Sequence, residues 1–173
     1  MLPSEELREI ISKKINIDLN QYAWNDEFRD FVFGLCLDKD YEYSLNYLDE
    51  VFKYGLNIGH CGLTARYLVI NIPHTDLYYG IFPPLIGTKN SPTGSHAWAV
   101  CGNYVLDTTL MLAIPIEEAK NLGYIFEKKI NSNSAKCLSE YELFSNEFEH
   151  YKQEKDVFIK SLTMFKWQIK RAK

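Results

Sequence analysis

The sequence predicts an α+β protein: a helical N-terminal part, a short buried helix laid on a small antiparallel sheet, and a helical C-terminal tail. Three observations predict it. Apolar residues recur at helical spacing in the N-terminal part, and a second helical stretch follows residue 140. His96-Ala-Trp-Ala-Val-Cys101 and Tyr104-Val-Leu-Asp-Thr-Thr109 are strand-like runs separated by Gly102-Asn103, a two-residue hairpin signal. Helices and strands fall in blocks rather than in βαβ alternation.

Taken in order, Ser4 followed by Glu5 and Glu6 predicts a helix start, because the hydroxyl caps free amides and the acids favour the positive helix end. Leu7, Ile10, Ile11 and Ile15 continue it at helical spacing. Further helices are expected over 26–37 and 43–54. The texture changes at Gly55-Leu-Asn-Ile-Gly59-His-Cys61-Gly, which is turn-rich. Leu63 to Ile70 then reads as a short buried helix, stopped by Pro73. Leu77-Tyr-Tyr-Gly-Ile-Phe82 reads as a strand, and Pro83 to Gly94 as a mobile loop rich in Pro, Gly, Ser and Asn. The hairpin follows, and Glu140 to Lys173 reads as mostly helix.

At 173 residues without an internal repeat or linker, the chain is expected to form one domain, 1–173, with its core motifs at about 55–112. A hydrophobic fraction of 46% and an aromatic fraction of 14% place it with folded proteins. A net charge of −4 gives no overall basic footprint for nucleic acid. No apolar run reaches the roughly 18–20 residues of a membrane span. Met1-Leu-Pro-Ser-Glu-Glu does not resemble a signal peptide, and Cys36, Cys61, Cys101 and Cys137 form no Cys-x-x-Cys pair. Free thiols in a cytoplasmic protein, with no structural zinc, are therefore expected.

Cys61 follows a Gly-rich turn and precedes a helix, which puts it at or near a helix N-terminus. There the helix dipole and free amides stabilise a thiolate, and the same amides can hold an oxyanion. Taken alone, Cys61 also fits a small buried core cysteine.

Hairpin geometry links it to two more residues. With Gly102-Asn103 as the turn, Cys101 pairs with Tyr104, Val100 with Val105, Trp98 with Asp107 and His96 with Thr109. His96 and Asp107 then share a face as diagonal neighbours, a separation that an imidazole and a carboxylate can bridge. Ala97, Ala99, Cys101 and Leu106 occupy the other face, a small apolar set for packing against helices. A carboxylate on one imidazole nitrogen fixes the tautomer and leaves the other nitrogen as a base for Cys61. Separately, His96 fits a half-buried strand histidine and Asp107 a turn acid. Together, downstream of a helix-start cysteine, they favour a Cys–His–Asp triad.

The segments Gly59-His-Cys61-Gly-Leu-Thr-Ala-Arg66, Gly94-Ser-His96-Ala-Trp98-Ala-Val and Tyr104-Val-Leu-Asp107-Thr-Thr resemble the three core motifs of the transglutaminase-like superfamily. The resemblance covers about residues 55–112 and implies a papain-like core with Cys61 as nucleophile, His96 as base and Asp107 as its orienting group. It also implies thioester chemistry on protein or peptide amides, by hydrolysis or by transfer to an amine. Animal members use an upstream Trp as an oxyanion donor, and Trp24 stands at a comparable separation while also fitting the core. The Arg-Gly-Gly lead-in of arylamine acetyltransferases is absent. A local resemblance to lasso-peptide leader peptidases keeps peptide cleavage open.

His60, Gly62 and Trp98 are further candidates for contacts to substrate or oxyanion, with His60 also fitting a solvent-facing turn. The 83–94 loop precedes His96 directly, so it fits a substrate lid as well as a plain connection. Tyr78 and Tyr79 fit strand packing. The run Lys160-Ser-Leu-Thr-Met-Phe-Lys166-Trp-Gln-Ile-Lys170-Arg-Ala-Lys173 carries five basic residues and no acid. It fits a docked terminal helix or a partner contact. The pattern indicates no metal or organic cofactor. It predicts a thiol-dependent hydrolase or acyl transferase acting on protein or peptide amides, with protease or glutamine deamidase activity favoured over cross-linking. Open alternatives are an inactive binding protein on the same fold and an acyltransferase using a thioester donor.

Overall fold

A computed structural model describes residues 1–26, 52–53, 55, 57–72, 74–88 and 91–131 of the protein. Helix α1 spans Pro3–Ile15 and is followed by a 3-10 turn over Leu19–Tyr22. Helix α2 spans Cys61–Asn71. Strands β1 (Thr75–Ile81), β2 (Ser95–Cys101), β3 (Tyr104–Asp107) and β4 (Leu112–Pro115) come next, then helix α3 (Ile116–Leu122) and strand β5 (Ile125–Ile130). Among the described residues the strands form one antiparallel sheet in the order β4-β3-β2-β1-β5. The protein is thus α+β with a small five-stranded antiparallel sheet.

The hairpin register is the one that the two-residue turn predicts. Cys101 pairs with Tyr104, Val100 with Val105 and Ala99 with Leu106. Gly102 takes a positive φ of 58°, as a tight hairpin turn requires. The ladder ends there, short of the expected Trp98–Asp107 and His96–Thr109 pairs. Asp107 Oδ1 accepts the amides of Thr109 and Leu110, at 2.9 and 3.0 Å, and this turns the chain away from β2. Trp98 pairs instead with Tyr78 on the other side of β2.

Alternation along the strands divides the core in two. On one face, Leu77, Tyr79, Ala97, Ala99 and Leu106 pack against Ala65, Leu68 and Val69 of α2 and Ile72, which caps it. The two alanines let the helix approach the sheet closely. On the other face, Trp98, Val100, Val105 and Ile114 pack with Ile11 of α1, Phe82, Leu110 and Leu122 of α3. Both tyrosines of β1 pack, Tyr79 buried under α2 and Tyr78 edge-on to Phe126 with ring centroids 5.2 Å apart.

Several details depart from the sequence expectations. Leu2, rather than Ser4, is the N-cap of α1. Pro3 takes the first helical position, where its fixed φ fits and its missing N–H costs nothing. Ser4 and Arg8 are buried instead, and Ile10 is exposed. Arg8 donates from Nη1 to Leu110 O at 2.9 Å and from Nε to Asn20 Oδ1 at 2.8 Å. The 83–94 segment, expected to be a mobile loop, begins with a 3-10 turn over Pro83–Leu85. Its base is closed by Phe82 N donating to Gly94 O at 2.8 Å, and Lys14 Nζ donates to the carbonyls of Pro84 and Ile86. These anchors hold the segment against α1. Strands β4 and β5 and helix α3 were not anticipated. The helices expected over 26–37 and 43–54 lie outside the described residues except for Asp26, Phe52 and Lys53, which are helical. The C-terminal run over 140–173, with its basic face, and residues Cys36 and Cys137 lie outside them as well. No helix among the described residues is long and apolar enough to cross a membrane.

Candidate active site

The lead-in to α2 is a succession of turns. Gly55 and Gly59 take φ values of 68° and 80°, Ile58 N donates to Gly55 O and His60 N to Asn57 O. The helix therefore begins at Cys61, with His60 as its N-cap. Cys61 is half-buried and carries a free thiol. Helix geometry leaves the first-turn amides of Cys61 and Gly62 without an intrahelical acceptor, whereas Thr64 N already bonds His60 O at 3.2 Å.

His96 lies at the end of the sheet where β2 begins and β3 ends. Its Nε2 is 2.7 Å from Asp107 Oδ2, and both residues are buried. Asp107 is fully engaged: Oδ1 accepts two backbone amides, and Oδ2 accepts His96 and the hydroxyl of Tyr124, the latter at 2.6 Å. Cys61 lies close enough to the imidazole to raise its pKa. Because Nε2 is committed to Asp107, Nδ1 is the ring nitrogen left for sulfur. Helix α2 packs on the face opposite to His96, yet its N-terminus delivers Cys61 to the imidazole.

Charge in this cluster is strongly coupled. Burial alone would lower the pKa of His96. The charge and hydrogen bond of Asp107, followed by the interactions with Cys61, outweigh it and push the imidazole up to about 10. Burial likewise raises Asp107, but the charge and bond of His96, then Tyr124 and the Leu110 amide, hold it below the usual carboxylate range. Tyr124 is raised well above the ordinary phenol value by burial and then by the Asp107 charge. His60 moves the other way: burial lowers it to about 4, so its imidazole is neutral at neutral pH.

The structure brings Cys61, His96 and Asp107 together and puts Gly62 and His60 beside the sulfur along the chain. Trp98 lies elsewhere. It is fully buried behind His96, with ring centroids 5.8 Å apart, and its indole N–H makes no hydrogen bond. Trp24 is half-buried against the α2 side of the core, edge-on to Phe52 at 5.6 Å, and its backbone N donates to Met111 O.

Four supporting residues escaped the sequence reading. Tyr124 bonds Asp107 from 17 residues downstream. Asn57, fully buried, donates from Nδ2 to Thr108 O, Thr109 O and Ser4 Oγ. The hydroxyls of Thr64 in α2 and Thr108 after Asp107 lie 2.6 Å apart. For Tyr124, the signal available was helix punctuation: Glu117 and Glu118 opening a helix and Gly123 closing it just before the tyrosine. Among the described residues no group of three or more His, Cys, Asp or Glu is arranged to hold a metal ion. No family model matches this chain, and no curated protein or solved structure matches it.

Proposed function

We propose that the chain is a thiol-dependent hydrolase or acyl transferase of the transglutaminase-like type, acting on amide bonds of a protein or peptide through a Cys61 thioester. One observation carries this reading. Cys61 opens α2 beside an imidazole that is bonded through Nε2 to a buried carboxylate 2.7 Å away. A buried histidine raised to about 10 holds its proton at neutral pH, so it can hand that proton to a leaving amine.

The sulfur attacks the amide carbonyl carbon, forming a C–S bond while the carbonyl oxygen takes the negative charge. The first-turn amides of Cys61 and Gly62 are the nearest donors for that oxyanion. Collapse expels ammonia or an amine, which leaves with the proton of His96, and a thioester remains. Neutral His96 then removes a proton from water, giving the acid and free Cys61. An amine in place of water gives a new amide. Hydrolysis, as protease or glutamine deamidase, is the favoured outcome. The same three residues serve both.

The test is alkylation of Cys61 by iodoacetamide between pH 5 and 9, read by peptide mass spectrometry. Wild type, His96→Ala and Asp107→Ala are compared, with the other three cysteines as internal controls. Fast labelling of Cys61 near pH 6 that slows in both variants is expected. Labelling at the pace of an ordinary thiol, unchanged in His96→Ala, sinks the reading.

A further inference from the structure

Asp107 holds a fourth side chain that the Cys61–His96–Asp107 arrangement does not account for. Helix α3 is capped by Gly123, whose φ of 106° only glycine adopts readily, and Tyr124 N returns to Ala119 O at 3.0 Å. That reversal turns Tyr124 back under the sheet. Its ring is stacked on Phe82, with centroids 4.1 Å apart and planes inclined by 19°, and meets Trp98 edge-on at 5.1 Å. Only 3% of the residue is exposed. With the ring clamped on two sides, the hydroxyl has one direction to point, and it donates to Asp107 Oδ2 at 2.6 Å.

The oxygen that receives Tyr124 is the one that receives His96. The geometry points to Tyr124 as a positioning residue of this site: its hydroxyl fixes the Asp107 oxygen that orients His96 and spreads the charge on that oxygen. The inference rests on the thiol chemistry proposed for Cys61. Among the described residues, the titratable groups facing Asp107 are His96 from β2 and Tyr124 from the α3–β5 connection, and Cys61 of α2 faces His96. Burial and then the Asp107 charge keep the phenol protonated well beyond neutral pH, so it remains a donor throughout the working range.

A residue that only packed would act through its ring, and Phe would replace it. A positioning donor acts through its proton. Without it the Asp107 carboxylate becomes more basic, and once protonated it no longer holds the imidazolium beside Cys61. The acid limb of Cys61 reactivity should then move to higher pH. The expected shift is about one pH unit, the scale of one charge-assisted hydrogen bond to a carboxylate.

The experiment uses the full chain and iodoacetamide. The rate of Cys61 labelling is followed from pH 4 to 9 in wild type, Tyr124→Phe, His96→Ala and a protein with fluorotyrosine at position 124. Fluorination makes the phenol a stronger donor with almost unchanged shape, so it keeps the test valid even where Tyr124→Phe fails to fold. The acid limb should rise in Tyr124→Phe and fall with fluorotyrosine. Limbs that coincide with wild type, while wild type still depends on His96, overturn the role of Tyr124 and leave the Cys61 reading standing. Labelling of wild type that does not depend on His96 removes the reading itself, and Tyr124 with it.

Discussion

Asn57 Nδ2 donates to the main-chain carbonyl of Thr108 at 2.6 Å, joining the turn before Cys61 to the turn after Asp107. The two segments are far apart in sequence, and no strand ladder connects them. The same amide group reaches Thr109 O at 3.2 Å and Ser4 Oγ at 2.9 Å. A single fully buried side chain thus ties α1, the lead-in to α2 and the acid-bearing turn together. The Thr64–Thr108 hydroxyl pair reinforces the link from inside α2.

Replacing Asn57 by Ala should cost about 2–3 kcal/mol, because two buried carbonyls and a hydroxyl lose their donor. Asn57→Asp, equal in size, should cost more, since it turns a carboxylate toward those same carbonyls. Chemical denaturation of the three proteins checks the order. An aspartate variant as stable as wild type would show that size, not donation, matters here.

Asp107→Asn should make stability depend differently on pH. His96 has a folded pKa of about 10 against 6.5 unfolded, so its contribution is full below 6.5 and disappears as pH rises toward 10. Asp107 is depressed below 3.8, so its contribution is present above that value and lost in stronger acid. The difference in melting temperature between wild type and Asp107→Asn should therefore be largest between pH 4 and 6.5 and shrink toward pH 10. A constant difference would contradict the coupling.

His60 predicts a separate acid sensitivity. Its folded pKa of about 4 lies below the unfolded 6.5, so the unfolded chain takes up the proton first as pH falls. Wild type should lose on the order of 2 kcal/mol across that window. A His60→Gln protein should be flatter between pH 6.5 and 4 in parallel thermal melts. Curves that stay parallel would show that His60 titrates normally.

Gly80→Ala should be among the most damaging small substitutions. A Cβ there would overlap the Ile125 carbonyl oxygen and lie 2.7 Å from Trp98 Cη2. The β1–β5 register shifts at this point, between Tyr79 and Gly80, and Gly80 pairs with His96 on β2. Overpacking of about 3 kcal/mol is expected, together with slower Cys61 labelling, because the strand carrying His96 must move. Gly102→Ala, where a Cβ meets nothing within 4 Å, strains only a turn of φ 58° and should cost about 1 kcal/mol. Equal losses in the two variants would argue against the crowding.

Much of the site was legible because its parts are local. Two residues at the hairpin tip set the register of Val100 on Val105, and that parity put His96 and Asp107 on one face. Glycine turns followed by an apolar run marked where α2 begins. What escaped was weakly patterned. Strand β4 is four residues long, and β5, Ile-Phe-Glu-Lys-Lys-Ile, is an edge strand with three charges and mostly exposed side chains. Neither offers the alternation by which a buried strand is recognised. Ser4 is a good capping residue locally, but Pro3 next to it fits the first helical position better, so the cap of α1 falls on Leu2.

By itself the sequence determined the α+β class, the hairpin register and a helix whose N-terminus lies at or near Cys61. Each depends on residues within a few positions of one another, where backbone geometry leaves few choices. Only the tertiary structure decided that α2 would lie on the sheet face opposite to His96 and still bring its first residue to that imidazole. Only it decided that Asn57 and Tyr124 would hold the turn and the carboxylate. Those contacts join segments with no local pattern in common, and the packing of two separate cores on one sheet is what brings them within hydrogen-bonding distance.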